Sequence, residues 1–447
     1  LGCRANQFDS ESLFAQFAQN GYQRAEEFTE ADVHIVNTCT VTNTGDAKGR
    51  NLIRKVMKSN PNSRVVVTGC SAQQDGKVLL DLGVDLVVDN ANKNDLYRRY
   101  QELLSIESTE EHIGERVQAS WIHSPIRTLK TLEYTPIESF GNKTRAHLKI
   151  QDGCNQYCTY CIIPHVRGRS RSLEPERIFS QLNTLLEKGY KEIVLTGIHV
   201  GHYQYPENVG DKQRGKGDKN FAQILKDILD YPGDFRVRLS SIEPLEITKE
   251  VLKLFEEYPH KLCRSLHIAI QSGSSTVLER MKRRYSRSTL ESLFEQLFAI
   301  DSHFGFGIDV IVGFPGETEE EFQESCSFIQ KYPLSYGHVF PFSAKKGTPA
   351  AGYPEHVSSA LKKERGQILR SLIQENQKAF LRGLEGSTHS AIFENSHTGT
   401  LSNFVRVRLS KNSAVEPIVG REYPVILSNR FTQQEQEKYP VVECYLA

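Results

Sequence analysis

Asp152-Gly-Cys154-Asn-Gln-Tyr-Cys158-Thr-Tyr-Cys161-Ile-Ile-Pro164 decides how the rest of the chain is read. Its three thiols follow the spacing C-x3-C-x2-C, which suits a metal-holding loop. Three ligands are one short of a closed tetrahedral zinc site, and no fourth cysteine stands nearby. Thiolates favour zinc or iron-sulfur, and a cluster held by three cysteines keeps one iron open to an outside ligand. An incomplete zinc knuckle or chance clustering is the competing reading.

With Tyr160 before the last cysteine, the loop resembles the signature of radical S-adenosylmethionine (SAM) enzymes. There the open iron of a 4Fe-4S cluster binds the amino and carboxylate groups of SAM. The surrounding pattern fits. From Arg145 onward, strands are expected at Ala146–Ile150, Glu192–Thr196, Phe235–Ser240, Leu266–Ile270, Gly307–Val312 and Tyr336–Phe340. Helical segments are expected between them, at Pro175–Lys188, Phe221–Leu229, Ile247–Tyr258, Leu290–Phe304 and Glu319–Ile329. Six such units make a partial (β/α)6 barrel with its active site at the carboxyl ends of the strands, where the cysteine loop falls. The other strand ends are glycine-rich or polar. Gly197, Ser241, Glu243, Gln271, Gly313 and Gly316 are the expected cofactor-binding residues, glycine allowing close approach and the polar groups meeting ribose and amino-acid moieties. Each alone reads equally as an ordinary turn. Arg167, Arg169 and Arg171 follow the loop, either as a solvated face or as a clamp for carboxylates or phosphates.

Ahead of the barrel, short β-branched runs at Val33–Val36, Val65–Val67 and Leu86–Val88 alternate with helical stretches at Phe8–Asn20, Asp46–Lys58 and Asn94–Leu104, which predicts an open parallel α/β domain. Cys3, Cys39 and Cys70 each end a strand in this reading, so they converge on the sheet edge where ligands gather. Singly, each reads as a buried structural cysteine. Together they predict a second metal centre. Cys263, Cys326 and Cys444 have no partner pattern and read as structural. After a helix at Ser358–Leu384, short strands at Ser390–Phe393, Phe404–Leu409, Tyr423–Leu427 and Val441–Tyr445 predict a small all-β barrel. Phe404, Arg406, Arg408, Arg430 and Phe431 are its RNA-binding candidates, with core aromatics and solvated arginines as the alternative.

Ser105–Lys143 has little periodicity and reads as a linker, with Trp121 packed between domains; Gln204–Lys219 reads as a surface insertion. The expected division is 1–108, linker 109–139, barrel 140–375 and terminal barrel 376–447. With 55 Lys+Arg against 55 Asp+Glu in 447 residues, the composition does not support a wholesale polyanion binder, though one domain can still carry a basic face. Nine cysteines in this arrangement point to a reducing compartment rather than a secreted disulfide framework. No apolar run approaches the roughly 18 residues of a membrane span. The chain begins at Leu1, so a trimmed leader stays open and the opening strand reads as cut short.

Leu1-Gly-Cys-Arg-Ala-Asn6, Asn37-Thr-Cys-Thr40, Thr68-Gly-Cys70 and the central loop together resemble the methylthiotransferases over essentially the whole chain. The resemblance implies an auxiliary 4Fe-4S cluster on the first thiol set, hence two 4Fe-4S clusters plus SAM, and a terminal RNA-binding barrel called TRAM. Asn37-Thr-Cys-Thr-Val-Thr42, Lys149-Ile-Gln-Asp-Gly153, Arg238-Leu-Ser-Ser-Ile-Glu-Pro244 and His338-Val-Phe-Pro-Phe-Ser343 look most like the branch acting on N6-threonylcarbamoyladenosine in tRNA. The implied reaction places a methylthio group on C2 of that base, with sulfur from the second cluster. The implied partners are the tRNA anticodon arm and an electron donor such as flavodoxin or ferredoxin, for a cytoplasmic monomer. Isopentenyladenosine in tRNA, an aspartate of a ribosomal protein, and a non-catalytic metal-containing RNA-binding protein remain alternatives.

Overall fold

Valine-rich strands with both faces covered build the amino-terminal unit. β1 (Val33–Thr38), β2 (Arg64–Gly69), β3 (Leu86–Val88) and β4 (Ser120–Ile122) pair in parallel in that order. Successive side chains point to opposite faces. Val65 and Val67 therefore pack with Ile53 and Val56 of α2 (Asn43–Ser59), while Val66 packs with Leu13 and Phe17 of α1 (Arg4–Ala18). Two further helices, α3 (Cys70–Leu80) and α4 (Leu96–Glu107), complete the layers. The computed structural model describes residues 2–107, 119–141, 143–206, 219–411, 413, 416–432 and 440–447.

Three details differ from the sequence reading. Cys3 is the residue from which the chain enters α1, and the strand expected to end there falls on residue 1, outside the described residues. β4 lies within the segment read as linker, where it extends the sheet beside β3. Trp121 sits on that strand and packs inside this unit: its ring lies 2.3 Å from where a Cβ on Gly76 would stand. It is therefore not wedged between domains.

The barrel begins with β5 (Arg145–Lys149), β6 (Glu192–Thr196) and β7 (Arg236–Leu239), which pair in parallel. β8 (Ser241–Ile242), β9 (Ser265–Gln271), β10 (Gly305–Val312) and β11 (Tyr336–Pro341) form the other half. β7 and β8 are one strand that changes neighbours at Ser240, so the two halves make six staves. Five helices cover the outside: α5 (Pro175–Glu187), α6 (Phe221–Asp230), α7 (Lys249–Glu257), α8 (Arg287–Ile300) and α9 (Glu319–Lys331). β5 and β11 do not pair among the described residues, and α1 lies along β5. Of the expected insertion, the ends Gln204–Tyr205 and Lys219–Asn220 pair antiparallel; residues 207–218 lie outside the described residues.

The long helix α10 (Ser359–Gly383) leads to a closed five-stranded barrel of β12 (Thr388–Phe393), β13 (Thr398–Leu401), β14 (Arg406–Leu409), β15 (Glu422–Thr432) and β16 (Val441–Leu446). β13, which the sequence reading passed over, closes it between β12 and β14. This barrel docks under the amino ends of the radical-barrel strands. Arg236 donates to the Thr400 carbonyl at 2.8 Å, and Arg238 to those of Ser402 at 2.9 Å and Leu401 at 3.0 Å. Both guanidiniums also hold the fully buried Glu192. Burial alone would raise that carboxyl, but Arg238 and Arg236 outweigh it and keep it far below the carboxylate range.

Candidate active site

The cysteine loop leaves the carboxyl end of β5 through Gln151–Asp152, a short strand paired with Arg171–Ser172. Cys161 donates its backbone N–H to the Cys158 carbonyl at 3.0 Å, a tight turn that gathers the thiols. Burial pushes the Cys154 and Cys161 thiols up to about 12, and each is raised further by the neighbouring Cys158. Thiols this reluctant to ionise become ligands only when a cation displaces their protons. A half-open set of three clustered sulfurs fits the open-iron cluster better than a closed zinc site.

The amino-terminal thiols are brought together by sheet register. Thr38 pairs with Gly69, so Cys39 and Cys70 leave β1 and β2 side by side at the carboxyl edge. Gly69 adopts φ +100°, and a Cβ there would stand 2.4 Å from the Thr38 carbonyl; only glycine lets Cys70 start α3 so close to β1. A Cβ on Gly2, next to Cys3, would stand 2.9 Å from the Cys39 Cβ. Burial pushes Cys39 up to about 11, with Cys70 and Cys3 close enough to add to it. Cys70 also packs with Ile162, Ile163 and Val166, and Cys154 and Cys161 pack against the same cluster. One thiol of the amino-terminal set and two of the central loop thus share a small apolar cluster.

A buried ion network clamps the two units beside that patch. Asp9 of α1 accepts from Lys93 at 2.6 Å, Lys149 at 2.7 Å and Arg167 at 2.9 Å, while Asp152 accepts from Lys149 at 2.7 Å and Arg167 at 3.0 Å. Burial works against the Asp9 carboxylate, but the three cations outweigh it and hold it below the usual carboxylate range. Of the arginine run, Arg167 and Arg171 are therefore buried on the protein's own carboxylates, and only Arg169 is exposed.

Among the expected cofactor residues, Glu243 pairs with Arg283, a residue the sequence reading did not single out. Arg283 also donates to Cys158 Sγ at 3.3 Å and to the Tyr285 hydroxyl at 2.8 Å, so it ties the β8 end to the cysteine loop. Ser241 is exposed, and Gln271 sits at φ 61° where the β9–β10 register shifts. The nearest neighbour of Gly197 is the Gln151 side chain; that of Gly313 is Lys362 of α10. Gly316 lies by Glu355 and Arg280. Also unforeseen is His199, whose Nδ1 is 3.5 Å from Cys154 Sγ and whose Nε2 meets Glu246, a carboxylate shared with His202 at 3.2 Å. Burial lowers His199 to about 4 and raises Glu246 to about 7.

On the terminal barrel, Arg406 and Arg408 alternate outward along β14, and Arg430 lies 3.9 Å from Glu443, the register partner of Arg408. The three arginines share one outer face. Phe404 does not join them: it points under the radical barrel onto Tyr336, with ring centroids 5.1 Å apart.

A six-staved α/β barrel with a three-thiol loop at the end of its first strand defines the radical SAM class. Residues 148–329 match the radical SAM superfamily, and residues 1–89 match a family described only as uncharacterized protein family UPF0004. Membership implies a 4Fe-4S cluster and SAM. The chain is 37% identical to the threonylcarbamoyladenosine tRNA methylthiotransferase MtaB of Bacillus subtilis, over 99% of this chain and 96% of that one. It is 35% identical to the MtaB of Aquifex aeolicus, over 91% and 95%. It belongs to the threonylcarbamoyladenosine tRNA methylthiotransferase family. The tRNA-2-methylthio-N(6)-dimethylallyladenosine synthase of Clostridium botulinum is 32% identical over 90% and 89%. Among solved structures, the radical SAM methyltransferase TsrM from Kitasatospora setae shares the fold alone, with a TM-score of 0.54 and 13% identity over 77% of this chain and 73% of that one.

Proposed function

We propose that this chain adds a methylthio group to C2 of N6-threonylcarbamoyladenosine, next to the anticodon of tRNA. The observation that carries the reading is the packing of Cys70, from the amino-terminal thiol set, and Cys154 and Cys161, from the central loop, on one apolar cluster. When bound, a cluster on Cys154, Cys158 and Cys161 supplies the electron that cleaves SAM, and one on Cys3, Cys39 and Cys70 supplies the sulfur. The residues of the chain do the rest. Arg283 fixes the Glu243 carboxylate beside the cysteine loop, at the rim where the amino and ribose groups of SAM would be held by Ser241, Glu243 and Gln271. Ile162, Ile163 and Val166 keep water from the space between the thiol sets. The Asp9 network fixes their spacing.

In this reading, residues 1–108 carry the second cluster, 140–375 the SAM chemistry and 376–447 the grip on the anticodon arm, with Arg406, Arg408 and Arg430 facing phosphates. The base leaves its stack to reach the thiol sets. A one-electron donor such as flavodoxin or ferredoxin serves the first cluster. The reading takes the protein as a monomer, working in the cytoplasm with its tRNA. No helix among the described residues is long and apolar enough to cross a membrane.

Mass spectrometry of tRNA nucleosides from cells with and without the gene tests this directly. The expected result is loss of 2-methylthio-N6-threonylcarbamoyladenosine with accumulation of its unthiolated precursor; unchanged tRNA nucleosides would refute the assignment. In vitro, Cys39→Ala should cleave SAM and form no methylthiolated product.

A further inference from the structure

Between α1, the first strands of the barrel and the terminal barrel lies a cavity of about 540 Å3. Its lining carries Arg4, Lys143, Arg145 and Arg238 against a single carboxylate, Glu394. That carboxylate is already taken, by Arg145 at 3.0 Å and Arg406 at 3.7 Å. Arg238 is saturated by Glu192 and by backbone carbonyls of the terminal barrel. Arg4 is different. Among the described residues its side chain makes no hydrogen bond and no ion pair, and its guanidinium lies 6.0 Å from the centroid of the Phe404 ring.

Phe404 is held in an unusual pose to make this arrangement. It adopts φ 67°, a conformation that a bulky residue enters at a cost of about 1 kcal/mol or more. Asn403 pins the turn, accepting from the Val405 N–H and donating to the His303 carbonyl. The ring thereby meets three guanidiniums, those of Arg238 at 5.1 Å, Arg145 at 5.9 Å and Arg4 at 6.0 Å. The ring thus holds three guanidiniums near one point, and the one whose fork has no partner among the described residues, Arg4, is open to a planar anion.

We propose that this cavity receives the threonine carboxylate of the substrate nucleoside, with Arg4, steadied beside the Phe404 ring, as its bidentate partner. The inference rests on the functional reading above and names the part of the substrate that separates it from a dimethylallyl-bearing base, which has no charge to offer. Chain geometry agrees. Arg4 follows Cys3 directly, so their Cα atoms are about 3.8 Å apart. From C2 of the base to the substrate carboxylate runs a path of about seven bonds, roughly 8 Å extended. A carboxylate held by an arginine side chain starting there leaves C2 within reach of the Cys3, Cys39 and Cys70 set. His147 lines the same cavity, pushed down to about 3 by burial, then by Arg4, Lys143 and Arg145, so it stands neutral and adds no competing charge.

The test uses the full chain, reconstituted with iron and sulfide, and two anticodon-arm RNAs. One carries N6-threonylcarbamoyladenosine; in the other the threonine carboxylate is a carboxamide. The wild-type protein should prefer the acid by roughly 100-fold in kcat/KM, the scale of losing one hydrogen bond to a charged group while the carboxamide keeps an acceptor oxygen. Arg4→Gln should erase most of that preference by slowing the acid substrate while leaving the amide rate and SAM cleavage near wild type. Equal wild-type rates on the two RNAs would overturn the proposal. So would an Arg4→Gln loss of equal size on both, which would assign Arg4 to a backbone phosphate instead. If Arg4→Gln fails to fold, Arg4→Lys, which keeps the charge and loses the fork, is read the same way. No product from either RNA with the wild-type protein, while SAM is still cleaved, would refute the functional reading itself and the proposal with it.

Discussion

Replacing Asp9 by Asn keeps the shape of the clamp between α1 and the barrel and removes one of its two negative charges. Lys93, Lys149 and Arg167 all lie within 2.9 Å of that carboxylate. Lys149 and Arg167 would retain Asp152, at 2.7 and 3.0 Å. Lys93 would keep no carboxylate, only neutral amide oxygens such as that of Asn90 at 3.4 Å, inside a site where burial already lowers its affinity for a proton. Stranding a buried charge costs about 3–5 kcal/mol. The alternative, releasing the Lys93 proton at pH 7 from an ordinary value near 10.4, costs about 4.6 kcal/mol at about 1.36 kcal/mol per unit. Both routes give the same scale. Asp9→Asn should therefore lower the melting temperature of the amino-terminal unit by roughly 10 °C or more. Because α1 starts at Cys3, its iron content should fall toward that of Cys39→Ala. The double variant Asp9→Asn, Lys93→Met removes the stranded charge and should recover most of the stability. An Asp9→Asn loss under about 1 kcal/mol, or a double variant no better than the single, would refute the account of this clamp.

Other consequences are as specific. Gly69→Ala meets both a φ of +100° and a carbonyl at 2.4 Å; it should cost about 2 kcal/mol or more and lower iron retention by the first thiol set, measured by iron per chain with SAM cleavage intact. Arg406→Gln, Arg408→Gln and Arg430→Gln should each weaken tRNA binding and reduce its log-log salt slope by about 1, without changing uncoupled SAM cleavage; a salt slope equal to wild type would remove that arginine from the interface. His147 is held at about 3, below its unfolded value of about 6.5, so the neutral form is the one the fold favours. Its contribution is complete above pH 6.5 and is lost as pH falls toward 3, at up to about 1.4 kcal/mol per unit. Urea midpoints between pH 7 and 5 should fall less steeply in His147→Gln than in wild type.

The fold class was legible because its signals are periodic. Runs such as Val65-Val66-Val67 and Glu192–Thr196 are short, β-branched and continuous, which favours strands covered on both sides, and their alternation with amphipathic helices favours a parallel sheet. What escaped has a local cause. α3 breaks its own periodicity at Asp75, inside the helix, and β13 reads Thr-Gly-Thr-Leu with scarcely an apolar residue to mark it. The central cysteines were legible from spacing alone, because three thiols within eight residues need no tertiary information. Arg283 and His199 were not: each acquires its role through a partner 125 and 45 positions away, Cys158 and Cys154, and nothing in Met281-Lys-Arg-Arg284 sets one arginine apart. A histidine following Thr196-Gly197 at a strand end was the one local hint available.

Phe404 shows why a small β-barrel at the end of such a chain is poorly described as an appendage. Read alone, an aromatic between two turns and ahead of Arg406 belongs to a nucleic-acid face. In the fold, Glu192, Arg236 and Arg238 form a charged floor beneath the radical barrel, each no more than 2% exposed. The N–H groups of those arginines are completed by carbonyls of residues 390, 400, 401 and 402. Without these acceptors the floor would leave buried donors unpaired, at about 1–3 kcal/mol each. The terminal barrel therefore stabilises the catalytic barrel from below while offering its opposite face to solvent. The same turn that closes the floor carries Phe404 into the cavity beside Arg4, which follows a cysteine of the first thiol set. The terminal barrel is thereby tied both to the radical barrel, through Arg236 and Arg238, and to the start of α1, through the Phe404 ring beside Arg4.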